Sequence, residues 1–528
     1  MLSEDIKKLL LFQDEREKEL KEDALKPKVD LKTTVGLFAF VYEKARNFVD
    51  YQEEHLLLRR AITRILIRRI KTENDPKELI ESLMTELLMA RYLVSGSISE
   101  EKIPQMERIL SKYFFLYQNL GKRKLEDGEN FLDFILSLCA REIEEIIAPS
   151  SEDQLVNFAL LKLEKRTVWQ NGGDEEEKRA RLLVGLMRTL AKYEDRTIYY
   201  KLWKLYFPFW TDAGEEKILK VVKQFDEADA AIKKYLTESS GEPLARILKK
   251  HIAPFQILRD LLSRGSVEIK ETFSSPEKLA KAAFNAANSR YRRALSSLRR
   301  SAVNSFVYIF ITKMLFAFAI EIPYETLFAQ SINYLPIFIN LLFPPAFMLF
   351  MALTVESPTE ENTRRIVDEI LSFTFGSNGS QVIKVDLSSK RSALASNLFR
   401  FLYFLTFLLA FGGTLYVLRR LHFSIVSLGI FYFFISTISF FAFRIRSSFK
   451  ELVVGEEGSN VVSTIFEFFM LPFIKLGRAI SSGLQGMNIF IFIFDIVIEA
   501  PFKMILEVIE EWIRFLRDKK EEALNIIK

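Results

Sequence analysis

Cysteine and histidine are nearly missing: the 528 residues hold one cysteine, Cys139, and three histidines, His55, His251 and His422. A single cysteine rules out an intramolecular disulfide, so nothing points to an oxidising compartment. So few thiolates and imidazoles also leave a structural or catalytic metal site short of its usual ligands. A Ser–His or Cys–His nucleophile pair would have to use His55 or His251, and neither sits in a supporting pattern. The chain contains no G-x-x-x-x-G-K-[ST], no G-x-G-x-x-G after a strand, no H-E-x-x-H and no G-x-S-x-G. No enzyme activity and no cofactor are expected.

Charge of one sign is also scarce, with 74 basic against 69 acidic residues and a net charge of +5. From residue 301 onward the two signs balance at 20 each, so the whole excess lies earlier. That surplus is too small to imply nucleic acid. The first residues, MLSEDIKKLLLFQDEREKEL, lack a basic stretch leading into a continuous apolar one. They do not read as a signal peptide, and a cytosolic N-terminus is the expectation.

What is present divides at about residue 300. Residues 1–300 read as helix after helix, with no convincing period-two alternation, and an all-α cytoplasmic domain of one or two subdomains is expected. Val35–Lys71 carries apolar residues at steps of three and four over about 36 positions, a candidate spine helix. Further helices are expected near 127–147, 151–169, 175–193, 215–237 and 241–252. Asp75-Pro76 and Ser275-Pro276-Glu277 have the chemistry of helix starts: an oxygen-bearing cap, then a proline whose missing N–H is harmless there. The acid that follows Pro276 suits the helix dipole.

Three features of this part have a functional and a plain reading. Arg59, Arg60, Arg64, Arg68, Arg69 and Lys71 fall largely on one side of the spine helix; a solvated or lipid-facing surface explains them more simply than nucleic-acid binding. Tyr199–Trp210 (YYKLWKLYFPFW) has the composition of a membrane headgroup anchor, but core packing of a proline-broken helix is the simpler account. The acidic run Asp174–Glu177 reads as a solvated helix start.

After residue 300 four runs are long and apolar enough to cross a bilayer: Val303–Ile320, Tyr334–Val355, Phe401–Leu418 and Phe423–Phe443. The expected organisation is a transmembrane hairpin over 301–355, a cytoplasmic loop over 356–400, a second hairpin over 401–443, and amphipathic helices with a charged tail over 444–528. A basic juxtamembrane helix over 276–300 precedes the first hairpin. Arg290, Arg292, Arg293, Arg299 and Arg300 form its membrane-surface cluster, with no acid between 281 and 300. By the positive-inside rule the N-terminal domain, the 356–400 loop and the C-terminus are then cytoplasmic, in a multi-pass protein of the plasma or inner membrane. Glu321 and Glu325 read as part of an acidic outside connection. Arg419, Arg420 and His422 oppose this orientation from the tight turn between the third and fourth runs. Within the inside loop, Ser357–Glu361 begins a short amphipathic helix and 379–389 (GSQVIKVDLSS) is the best strand candidate.

The last 70 residues differ from the spans. Val461–Leu484 carries Thr464, Glu467, Lys475, Arg478 and Ser482 along one stripe. In Ile489–Arg517, Asp495, Glu499, Lys503, Glu507 and Glu511 recur at steps of four, and Glu499 precedes Lys503 in the favourable order for an i,i+4 pair. Helices of this kind lie in the interface or pack on a bundle.

Lys313 sits near the middle of the first run, where a lysine costs roughly 2.5–3.5 kcal/mol on insertion scales and is expected to face a partner or water. Candidate partners are Asn340, Asp495 and Glu499, and Pro344-Pro345 is expected to break or kink the second span. Two functions follow. The first is a membrane-anchored helical scaffold or assembly protein, with the lipid bilayer and a protein partner or a second copy as its partners. The second is an oligomeric channel or transporter whose polar path runs by Lys313 and the Pro344-Pro345 break. An enzyme using Asp495 and Glu499 as acid and base at the lipid interface is a third, weaker reading, since a solvated seam accounts for them more cheaply.

Overall fold

A computed structural model describes residues 2–27, 54–71, 73, 75–90, 92–94, 96, 98–121, 123, 130–170, 174–239, 242–329, 334–355, 357–376, 382–385, 393–454 and 461–486. The chain is all-α: a helical N-terminal region is followed by four long apolar helices. The spine helix is seen as Glu54–Arg69, and the earlier part of Val35–Lys71 lies outside the described residues.

The expected caps are made. Asp75 Oδ1 accepts from the Lys77 N–H at 3.3 Å, and Ser275 Oγ accepts from the Lys278 N–H at 3.3 Å. Helices Phe131–Ile147, Glu152–Glu164, Glu175–Thr189, Asp195–Tyr206, Glu215–Ser239 and Glu242–Lys249 follow the apolar periodicity read from the sequence. One expected helix is shorter than its pattern. The stretch 151–169 leaves the helix after Glu164 and ends as a strand, β1 (Thr167–Trp169). Three residues are too few to show alternation, so this strand carries no signal of its own.

Its partner lies more than 200 residues later. β1 pairs in parallel with β2 (Ile383–Val385), Thr167 opposite Ile383 and Trp169 opposite Val385. β2 falls within the strand candidate 379–389. The preceding helix, Glu360–Phe375, starts with Thr359 Oγ1 accepting from the Asn362 N–H and ends on left-handed Gly376. Its apolar face (Ile366, Val367, Ile370, Phe373) belongs to the same core as the N-terminal helices, and Phe373 stacks on Phe255 at 4.8 Å. Leu452 and Val454, just past the fourth apolar helix, join that core as well. The helix and the strand of the connection between the two hairpins are therefore part of the domain's interior.

The four helices long and apolar enough to cross a membrane are Pro276–Leu327, Tyr334–Leu353, Asn397–Arg420 and Ile425–Arg444. Each hairpin leaves the domain and returns to it, because the segments before the first helix, after the second and after the fourth share one core. Large apolar side chains such as Val307, Tyr308, Ile311, Leu315 and Phe318 stand exposed around the first helix, as a surface that lipid covers would require. The fourth helix is the centre of the bundle: 56% of its most apolar stretch is buried, against 17% for the first and third.

The first apolar helix has no joint with the domain. Residue 300 falls inside one helix, Pro276–Phe316, and π-helical turns at Ala317–Glu321 and Glu325–Ala329 carry the helical path onward. The outside connection expected around Glu321 and Glu325 is thus the last part of the first helix. Pro323 and the two acids end the hydropathy of the run, but not the helix. The helix Tyr334–Leu353 likewise continues through Pro344 and Pro345. The proline pair removes two N–H donors from the ladder without ending the helix, because both rings are buried within the bundle, where the packing of neighbouring helices keeps the turn in place.

Val461–Gly486 packs along the fourth helix, one of the two arrangements expected for it. Phe473 is buried among Ala410, Leu428, Phe431 and Ile435, while Lys475, Arg478 and Ser482 face outward. Contact is closest at Gly477, where a Cβ would lie 2.0 Å from the Ser436 carbonyl oxygen, so only glycine permits this approach.

Candidate functional site

Residues with polar side chains line the inside of the apolar bundle. Lys313, Glu321, Glu325, Asn340, Ser427, Ser436 and Ser439 are all buried there. The first three come from the first helix, Asn340 from the second, and the serines from the fourth. Their burial follows from helical spacing: Lys313 and Glu321 are eight residues apart, a little over two turns, so both face the neighbouring helices.

Asn340 is the hub of the upper part. Its side-chain amide donates to Glu321 Oε1 at 2.8 Å and to the Ser427 carbonyl at 3.0 Å. The Ser427 hydroxyl donates to the same Glu321 oxygen. With its N–H groups placed by two acceptors, the amide leaves Oδ1 buried and, among the described residues, without a partner. Asn340 had been expected to meet Lys313; it meets Glu321 instead, a residue read from the sequence as belonging to a loop. Lys313 lies about 12 Å further down the first helix by its rise per residue. The lysine is 2% exposed, and its Nζ sits 4.1 Å from the centroid of the Phe434 ring. Among the described residues no hydrogen-bond acceptor reaches that nitrogen. Ser436 and Ser439, on the fourth helix beyond Phe434, also have buried hydroxyl oxygens without partners.

Both carboxylates sit at π-helical turns, Glu321 closing one and Glu325 opening the next. Such turns widen the backbone locally and occur often at functional sites. Among the described residues no group of three or more His, Cys, Asp or Glu is placed to hold a metal ion.

No protein-family model, curated protein or solved structure matches this chain.

The remaining sequence candidates fall elsewhere. Asp495 and Glu499 lie outside the described residues. Arg290 of the juxtamembrane cluster makes two 2.9 Å bonds to the Asp260 carboxylate, and Arg293 reaches the same group at 3.5 Å. These two arginines fasten the long helix to Ala253–Leu262, while Arg292, Arg299 and Arg300 are exposed.

The basic run of the spine helix is a partly solvated face, with Lys71 exposed, whose arginines are taken up by ion pairs. Arg59 is buried and bonds Glu194 and Thr197, Arg60 also pairs with Glu194, and Arg68 and Arg69 pair with Glu86. Acids far along the chain supply these partners, so the run alone could not reveal them. The aromatic stretch is core, as the plainer reading held: Tyr199, Tyr200, Trp203, Phe207 and Trp210 are buried, with Trp203 and Trp210 edge to face at 5.5 Å.

Next to it Lys112 pairs with Glu142, whose other oxygen accepts from Tyr113 and Trp210. Burial pushes the nearby Cys139 thiol well above its ordinary range, which makes it an inert core residue. In that buried network Glu142 has a partner on each of its oxygens.

Proposed function

We propose that this is a membrane transport protein whose bundle passes a small charged species along the line from Asn340 and Glu321 to Lys313, with the helical domain on the cytoplasmic side. One observation carries the reading: Lys313 Nζ is buried in the apolar bundle and, among the described residues, has no hydrogen-bond acceptor. A lysine held at that depth only for structure would be expected to have a carboxylate against it, because an unpaired ammonium in hydrocarbon is expensive and intramembrane charges usually mark pathways. The orientation follows from the basic residues at the domain end of the first helix.

Reconstitution in liposomes tests this. The parent protein should conduct or exchange a small ion or solute, and Lys313→Met should change that flux by roughly tenfold or more, a 1.4 kcal/mol effect at the least. Absence of flux across monovalent cations, chloride, phosphate and amino acids would sink the proposal.

The scaffold reading is favoured by a different observation. Asn362 donates to Tyr291 and to the Leu452 carbonyl and accepts from the Val454 N–H, and Ser3 bonds Phe373 and Thr374. These bonds bind the N-terminus, the long helix, the inter-hairpin segment and the chain after the fourth helix into one platform. Purification from native membranes in mild detergent separates the readings. A protein partner at fixed stoichiometry would support the scaffold, and a closed homo-oligomer would support transport.

A further inference from the structure

The acceptor left open beside Glu321 has a specific chemistry. We propose that Glu321, Asn340 and Ser427 form a binding site for one dehydrated monovalent cation of the sodium class, an inference that rests on the transport reading and names its coupling ion. The site offers one carboxylate, one amide oxygen and one hydroxyl oxygen, all on residues at most 1% exposed. Hard oxygen donors around one carboxylate suit a single positive charge, and among the described residues no cluster of three or more His, Cys, Asp or Glu supplies the denser ligand set of a calcium-type site.

The amide is fixed rather than free to choose. Because its N–H groups are engaged by Glu321 Oε1 and the Ser427 carbonyl, Oδ1 cannot satisfy itself by flipping without breaking both bonds. What completes it must bring positive charge or a donor. The Ser427 hydroxyl is held in turn: Ser424 Oγ donates to it at 3.1 Å and accepts from the Ser427 N–H at 3.2 Å. The π-helical turn ending at Glu321 sets the carboxylate against the second and fourth helices, so all three contributors meet at a helix crossing. Glu325, also buried, lies one turn further along the first helix, and Lys313 is the basic group on its other side.

The test uses the full chain in detergent, comparing its thermal midpoint in sodium, lithium, potassium and choline chloride at matched ionic strength and mildly alkaline pH. Sodium should raise the midpoint saturably over choline, and potassium should do so only at much higher concentration. Glu321→Gln should abolish the shift, and Asn340→Leu should weaken the apparent sodium affinity roughly tenfold or more. Ser427→Ala, which removes only a hydroxyl, should weaken it less and guards against misfolding of the other two. Equal midpoints in all four salts, a response to pH alone, or a sodium shift that survives Glu321→Gln would each overturn the site. Flux that depends on Lys313 but not on sodium would leave the transport reading standing without this site. A sodium shift in a protein without flux would do the reverse.

Discussion

In the helical domain Arg59, Lys112, Arg141, Glu142 and Glu144 are buried and each has an ion-pair partner. In the apolar bundle Lys313 is equally buried, and among the described residues it has an aromatic face against it and no ion-pair partner in contact. The same contrast holds for neutral groups. Asn362 in the domain uses both ends of its amide, while Asn340 in the bundle leaves its oxygen open. Among the described residues the domain also holds open buried atoms: the Trp203 indole N–H, and single atoms of Arg16, Glu73, Arg141 and Arg259, whose side chains are bonded through their other atoms. A buried polar group without a partner costs stability, so a folded chain keeps one only where the structure over-determines it or where something else completes it. In the domain, polarity is used to fix the packing. In the bundle it is left available.

Removing charge should therefore have opposite signs in the two regions. The largest expected effect is on Lys112→Met, which strands Glu142 among Tyr113 and Trp210 and should destabilise the full chain by about 3–5 kcal/mol, read as a lowered thermal midpoint in detergent. Lys313→Met should leave stability unchanged or raise it by up to about 3 kcal/mol, since it removes a buried ammonium that no described acceptor hydrogen-bonds. A loss of stability comparable to that of Lys112→Met would dissolve the contrast. Asn362→Ala should cost about 1–3 kcal/mol by leaving the Val454 N–H unpaired, and hydrogen exchange at Val454 should rise more than exchange within the fourth helix.

Two smaller effects sharpen the picture of the domain. A membrane-impermeant maleimide should fail to label Cys139 in native membranes and in lysate, and should label it once the chain is denatured, because the thiol is buried and kept protonated. Burial holds the His251 pKa below its ordinary value, so the folded state resists a proton that the unfolded state accepts. Stability from this residue is present above about pH 6.5 and declines as the pH falls below it, and His251→Leu should flatten that slope.

Much of the architecture was legible because helical periodicity and apolar run length are local properties. The caps at Asp75 and Ser275, the four apolar helices and the β2 segment need only neighbouring residues to be read. Lys313 and Asn340 stood out because polar groups are rare in such runs. Glu321 was passed over for a physical reason: together with Pro323 and Glu325 it lowers local hydropathy, which imitates the end of a span. Only its packing against Asn340 and Ser427, 19 and 106 residues away, distinguishes a buried carboxylate from a loop acid. The pairing of the spine helix's arginines was hidden for the same reason, since Glu194 and Glu86 reach them across the fold.

By itself, then, the sequence determined which stretches are helical, which are apolar enough for a bilayer, and that conventional catalytic and metal-binding motifs are missing, because composition and periodicity act over a few turns. Tertiary structure alone decided that the helix Glu360–Phe375 and the strand Ile383–Val385 complete the N-terminal core, that the long helix passes without a joint from domain to bundle, and that Glu321 meets Asn340. Each of those facts depends on partners far apart along the chain, and no local pattern encodes the distance between them.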